Sequence, residues 1–417
     1  MTTVTVLDTT EAPAGGALPS VSYRDVLRVP YVLRLQVGTL TGRLPNGMAP
    51  LGILLSGAPT FGYAAASGLA SLYLVASAIG GPLLGRFVDR HGQTLPFTLG
   101  AAASSAALIA IVAGPQQQAC VAVAVLVAGA TKPPLEAGTR SLIGTGQIMP
   151  TRGHVRVALA LDAALQELIY IAGPLLVAAI AWMTSAVPAM WTTAALGAAG
   201  TFLVVTTPPS RAWRPSTVHA ADWLGPVKSR RLQALYLSMV CYGIPIGALT
   251  PLALAAATEH HVPALSGALP AALSVGAVLG GLLYGARTWP GTTADHLLVL
   301  AVASTAGWSA YAFAASPAAL LAITLLPGLV MAPLLAAAFV TTSALAPRAL
   351  ITEAHALLIA ALDIGCALGT AGAAVLHEVL LPAAAAAAAL TLAVARRHLT
   401  VSNSPAELSA PSKETRS

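Results

Sequence analysis

Charge is scarce in this chain of 417 residues. Only 9% are Asp, Glu, Lys or Arg, against roughly a quarter in a soluble globular domain. That shortage excludes a compact water-soluble enzyme, and it excludes a disordered chain, which stays expanded by being polar and charged. Aromatics are also few, at 5%, which argues against a membrane barrel with its aromatic girdles. There are three cysteines, Cys120, Cys241 and Cys366, each in an apolar run without a partner at ligand spacing. They support neither a disulfide framework nor a metal site. The net charge of +6 is small and its basic residues are dispersed, so a nucleic-acid surface is not expected. What the chain has in quantity is Ala, Leu, Val, Ile and Gly. It is 56% hydrophobic with a mean hydropathy of +0.78. Small aliphatic residues of this kind suit helices packed closely in lipid.

A membrane-crossing helix needs ~20 mostly apolar residues. Twelve stretches qualify: 33–55, 64–84, 94–114, 119–142, 157–182, 187–206, 232–256, 264–286, 294–314, 318–342, 354–375 and 379–396. With the N-terminus inside, the outer loops near 56–63, 115–118, 183–186, 257–263, 315–317 and 376–378 contain no Lys or Arg. Apart from Arg43 and Lys132, every basic residue then falls on or near the inner face, as positive-inside topology requires. The reading is an all-α membrane protein with both termini cytoplasmic. It has an N-terminal tail (1–32), a six-helix half (33–206), a linker (207–231), a second six-helix half (232–397) and a C-terminal tail (398–417).

The two halves repeat. Arg34-Leu35-Gln36 pairs with Arg231-Leu232-Gln233, and the Gly80-Gly81 run with the Gly280-Gly281 run. Pro134-Leu135 pairs with Pro333-Leu334, and Leu161-Asp162 with Leu362-Asp363. Parallel six-span repeats imply a transporter that rocks about a central site.

Between the second and third spans stands Gly85-Arg86-Phe87-Val88-Asp89-Arg90-His91-Gly92-Gln93. This resembles the loop 2–3 signature of the major facilitator superfamily, Gly-x-x-x-Asp-Arg-x-Gly followed by basic residues. Gln93 and Thr94 depart from the basic end. The resemblance implies the twelve-helix facilitator fold, with Gly85, Asp89, Arg90 and Gly92 acting as an inner gate that Asp89 latches. The alternative is an ordinary inner loop whose arginines only set topology. Gly173-Pro174 in span five resembles the core of a signature of drug/proton antiporters in this superfamily, although Ile169 and Ala160 stand where that signature has glycine. Without it, the pair is a packing kink. The run Ala160–Leu168 also resembles a group of bacterial facilitators. By this resemblance the protein belongs in the bacterial inner membrane.

Ionisable residues inside a bilayer normally face a cavity or one another. Seven stand out: Arg43 in span one, Lys132, Glu136 and Arg140 in span four, Asp162 and Glu167 in span five, and Asp363 in span eleven. Lys132, Glu136 and Arg140 have i, i+4, i+8 spacing, which places them on one helix face. Arg43 lies in Gly42-Arg43-Leu44-Pro45-Asn46-Gly47, a stretch able to open a helix towards a ligand. Glu136 and Glu167 are the expected proton carriers, Glu136 first because it stands one turn from Lys132. Lys132 and Arg43 would be their switching partners or substrate ligands. A permanent structural salt-bridge cluster is the competing reading. The second half lacks this network and offers Tyr236, Tyr242, Trp308 and Tyr311, as lipophilic surface or as packing.

These features point to proton-coupled export of a small amphipathic organic molecule by alternating access. Uptake or exchange of an organic anion held by Arg43 and Lys132 remains the alternative. No His-Glu-x-x-His or nucleotide loop occurs, so neither an enzyme nor a bound cofactor is expected. The expected partners are the substrate, protons and the lipid bilayer, with the protein a monomer. The topology has a direct test: cysteine introduced at Ser316 should react with an impermeant reagent from outside, and cysteine at Ser229 only after permeabilisation.

Overall fold

The computed structural model describes residues 22–114, 116–144, 148–213, 228–285, 289–346 and 351–399. A short α1 (Tyr23–Arg28) precedes α2 (Val32–Phe61), α3 (Tyr63–His91) and α4 (Thr94–Ala113). Then come α5 (Gln118–Ala130), α6 (Leu135–Gly144), α7 (Arg152–Met183), α8 (Ala186–Val205) and the single turn α9 (Pro208–Ala212). The second half holds α10 (Arg230–Glu259), α11 (Leu265–Gly285), α12 (Thr293–Ala310), α13 (Pro317–Leu345) and a helical stretch α14 (Ile351–Leu399). Helices dominate because a backbone in lipid must satisfy its own polar groups. Among the described residues, seven helical stretches, one of them α5 and α6 taken together, are long and apolar enough to cross a membrane by length and composition.

Helix ends follow local chemistry. Ser22 with Asp25, and Thr292 with Asp295, form capping boxes before α1 and α12. Ser316 accepts from the Ala319 amide, and Pro317 opens α13.

Three boundaries differ from the sequence reading. The expected fourth span is two helices, because Pro133 and Pro134 lack the amide hydrogens a continuous helix needs. The expected loop after span two is mostly helix: α3 runs to His91 and turns only at Gly92, whose φ is 81°. Gly85 therefore lies within a helix, with open space where a Cβ would be, and makes no turn. Spans eleven and twelve share the helical stretch α14. Yet Tyr236 Oη donates to Ala354 O, and Ser238 hydrogen-bonds to Thr391, both on α10 within one turn. A straight helix would separate Ala354 from Thr391 by about 55 Å, so the chain doubles back between them.

Among the described residues, six apolar clusters form the core. None combines residues from before and after the linker, so the chain packs as two bodies. Tyr236 and Tyr242 are buried in one of these clusters and Trp308 in another. They are packing residues of the second half, not lipophilic surface. The bodies meet where α3 touches α14 and α7 touches α11. Ser71 Oγ donates to Ala367 O at 2.7 Å, and Gly267 lies against Pro174 and Ala178.

The repeat is visible in burial. Val32, Leu35, Gln36, Gly38, Thr39, Gly42, Arg43, Pro45 and Gly47 are buried on α2. So are Leu232, Leu235, Tyr236, Ser238, Met239, Tyr242, Gly243, Pro245 and Gly247 on α10. This sets Leu35 opposite Leu235 rather than Leu232, and moves the expected Arg34/Arg231 register by about one turn. Arg43 then corresponds to Gly243.

Gly173 has a packing role. A Cβ there would lie 2.9 Å from the Gly47 carbonyl carbon and 3.0 Å from its Cα, so α7 and α2 touch backbone to backbone. Gly173→Val should lower thermal stability by about 1–3 kcal/mol. Gly81→Val, where a Cβ meets nothing within 4 Å, should change it little. Comparing the melting curves of the two purified variants checks this.

Candidate functional site

Four of the predicted residues form one closed network. Arg43, from the middle of α2, reaches Glu136 with Nη2 at 2.8 Å and Asp162 with Nη1 at 3.4 Å. Arg140 reaches the same two carboxylates, Glu136 with Nη1 at 2.5 Å and Asp162 with Nε at 2.7 Å. Each arginine bridges both acids and each acid bridges both arginines, so two cations and two anions cancel. Arg140 Nη2 also donates to Gln166 Oε1 at 3.1 Å, and Thr39 shares a buried hydrogen bond with Thr139 beside the cluster. The network ties α2, α6 and α7 together. It is graded in depth: Asp162 is 1% and Arg43 4% exposed, whereas the Glu136 and Arg140 side chains are 27% and 35% exposed.

Lys132 stands apart. The helix break at Thr131–Pro134 takes it off the face that carries Glu136 and Arg140, so the expected one-turn pairing of Lys132 with Glu136 does not form. Its Nζ lies 6.0 Å from the Tyr73 ring centroid, at the limit of a cation–π contact. Arg43 also differs from expectation. The stretch around it stays helical within α2, and Gly42 and Gly47 admit α8 and α7 instead of opening the helix. Glu167 lies on α7 and Asp89 in the last turn of α3, but both side chains fall outside the described residues. Arg90, also in that turn, is exposed, and Gly92 is buried.

Gln93, the departure from the signature, has a definite role. It is 1% exposed. Its Nε2 donates to Gly138 O at 3.0 Å and to Ser141 Oγ at 3.3 Å, and its Oε1 accepts from Ser210 Oγ at 3.0 Å. Gly138 also packs against the Phe97 ring. The helix carrying Glu136 and Arg140 is thus docked on the start of α4 and, through Gln93, tied to α9 at the beginning of the linker. A lysine or arginine at position 93 would supply donors but no acceptor for Ser210.

Solved structures share this architecture. The nucleoside transporter NupG superposes with a TM-score of 0.68 at 12% identity, covering 89% of this chain and 99% of its own. The peptide transporter POT, in complex with sulfate, superposes at 0.70 with 14% identity, covering 91% and 95%. The chain has the major facilitator fold. No family model matches the sequence and no curated protein matches it, so at these identities the facilitator architecture is what the likeness shows.

In a facilitator helix bundle, removing one member of a buried ion cluster leaves its partners uncompensated, typically by 3–5 kcal/mol. Arg43→Gln should destabilise the protein by about that amount, because Asp162 has no route to water. Arg43→Gln combined with Asp162→Asn should recover part of the loss, and a thermal-denaturation double-mutant cycle measures the coupling.

Proposed function

We propose that this chain is a secondary transporter of the bacterial inner membrane, with both termini in the cytoplasm, exporting a small amphipathic molecule in exchange for protons. The halves 33–206 and 232–397 would be the rocking bodies. The observation that carries this reading is the neutral four-residue network inside one body of a two-body fold. Balanced charges stay buried at little cost, while a proton added to one carboxylate unbalances the whole.

Glu136 is the proposed proton carrier. It touches both arginines, and of the two carboxylates it is the one with access to solvent. Protonating it would release Arg43 and Arg140 together onto Asp162 and change how α2, α6 and α7 hold one another. A proton then acts by shifting the populations of two states. The competing anion carrier is less well supported, because Arg43 is already shared between two carboxylates and has little charge left for a substrate.

The test is uptake into inverted vesicles with an imposed proton gradient, screened with amphipathic compounds of each charge type. Wild-type protein should accumulate its substrate uphill. Glu136→Gln, which imitates the protonated acid, should lose uphill transport by tenfold or more, on the order of 1.4 kcal/mol of lost coupling, yet retain downhill exchange. Uphill transport at the wild-type rate by Glu136→Gln, with Glu167→Gln inactive, would move the coupling role to span five, and full activity of both would make the network structural.

A further inference from the structure

Outside the Arg43 network, a groove of about 520 Å³ lies at the N-terminal end of α2. Its walls come from α1, the corner after it, the first turns of α2 and the end of α8. The corner is sharp because Tyr31 takes a left-handed conformation, with φ 68°, between α1 and α2. Further along, α2 and α8 close on each other, with Gly38 against Leu203 and the Gly200 carbonyl.

The lining has two kinds of chemistry. Leu33, Val37 and Leu203 supply apolar surface. Leu33 is 55% and Val37 45% exposed, and they stand one turn apart on α2. Arg28 and Arg34 supply two exposed guanidiniums. Arg34 is held in place: its Nη2 donates to Thr206 Oγ1 at 2.5 Å. A hydroxyl orients that guanidinium without cancelling its charge. Among the described residues neither arginine forms a salt bridge, and no acidic residue lines the groove. Asp25, one turn before Arg28, is the nearest carboxylate along the chain, and its Oδ2 accepts from the Ser22 amide and hydroxyl.

This combination selects its occupant. A free inorganic anion would satisfy the guanidiniums and gain nothing from Leu33, Val37 and Leu203. A lipid with a choline head carries its own cation beside the phosphate, which two arginines repel. A lipid with a net negative head matches both parts. Basic pockets beside membrane helices recognise such heads at the cytoplasmic leaflet, where anionic lipid is attracted to Lys and Arg.

We propose that this groove binds an anionic phospholipid, its phosphate on Arg28 and Arg34 and an acyl chain along Leu33, Val37 and Leu203. The lipid joins α1, α2 and α8, and α2 is the helix that carries Arg43. The proposal rests on the topology above only for the leaflet that supplies the lipid.

Thermal melting of the purified full-length protein in a neutral detergent tests this without a transport assay. The additives are phosphatidylglycerol, phosphatidylcholine and glycerol phosphate, the last a headgroup without a tail. Phosphatidylglycerol should raise the melting temperature, and neither of the others should match it. Arg28→Gln combined with Arg34→Gln should weaken its apparent affinity by about tenfold. Arg230→Gln combined with Arg231→Gln removes two exposed arginines from the start of α10, away from the groove, and should leave that affinity unchanged. No shift with phosphatidylglycerol would overturn the proposal. So would an equal shift with phosphatidylcholine, which means unselective lipid, or with glycerol phosphate, which means a free-phosphate site. An equal loss in both double variants means diffuse surface charge and overturns it too. If the groove variant folds poorly, a photoreactive phosphatidylglycerol on wild-type protein decides. Label should fall on α1, the start of α2 or the end of α8, and label confined to other helices sinks the site. Proton-driven transport by a protein indifferent to phosphatidylglycerol would leave the transporter reading standing and remove this one.

Discussion

An arginine in the middle of a membrane helix is the constraint around which the first half of this protein is arranged. Arg43 is almost wholly buried, and its charge is tolerable there because Glu136 and Asp162 converge on it. Those acids come from two other helices, so the ion pairs also fix how α2, α6 and α7 meet. Arg140 completes the balance, and without it the two carboxylates would outweigh one guanidinium. The close contacts at Gly47 and Gly173 serve the same geometry: α7 must approach α2 within backbone distance for Asp162 to reach Arg43. The second half has Gly243 at the position corresponding to Arg43. There α10 packs against α14 through small residues such as Gly243, Gly247 and Cys366.

Much of this was legible in the sequence for physical reasons. Length and apolarity mark a lipid-embedded helix, because that effect acts residue by residue. The set Arg43, Glu136, Arg140 and Asp162 could be named because a charge in lipid needs a partner. Their pairing could not. Spacing on an ideal helix favoured Lys132 beside Glu136, but Pro133 and Pro134 end the helix between them and leave Glu136 to two arginines. Gln93 was visible only as an anomaly, a polar amide where the facilitator signature is basic. Its partners, Gly138, Ser141 and Ser210, lie 45 to 117 positions away, and no local pattern encodes them. The aromatic residues of the second half show the opposite limit: from sequence, Trp308 is equally compatible with a cavity wall and a core, and tertiary packing decides for the core.

The helix break has a further effect on the site. In a continuous helix Lys132 and Glu136 would move together as neighbours. With the break between them, α6 is held by Gln93 and Phe97 on one side and by the arginine network on the other, while Lys132 stands over the Tyr73 ring.

The neutrality of the Arg43 network bears on the electrical behaviour of the molecule. A single unpaired charge displaced through the full membrane field changes the energy by about 2.3 kcal/mol per 100 mV. Two guanidiniums and two carboxylates fixed to the same rigid unit contribute no net gating charge when that unit tilts. A shape change in which that unit tilts would then not sense the membrane voltage through this cluster, and any voltage dependence would come from charges outside it.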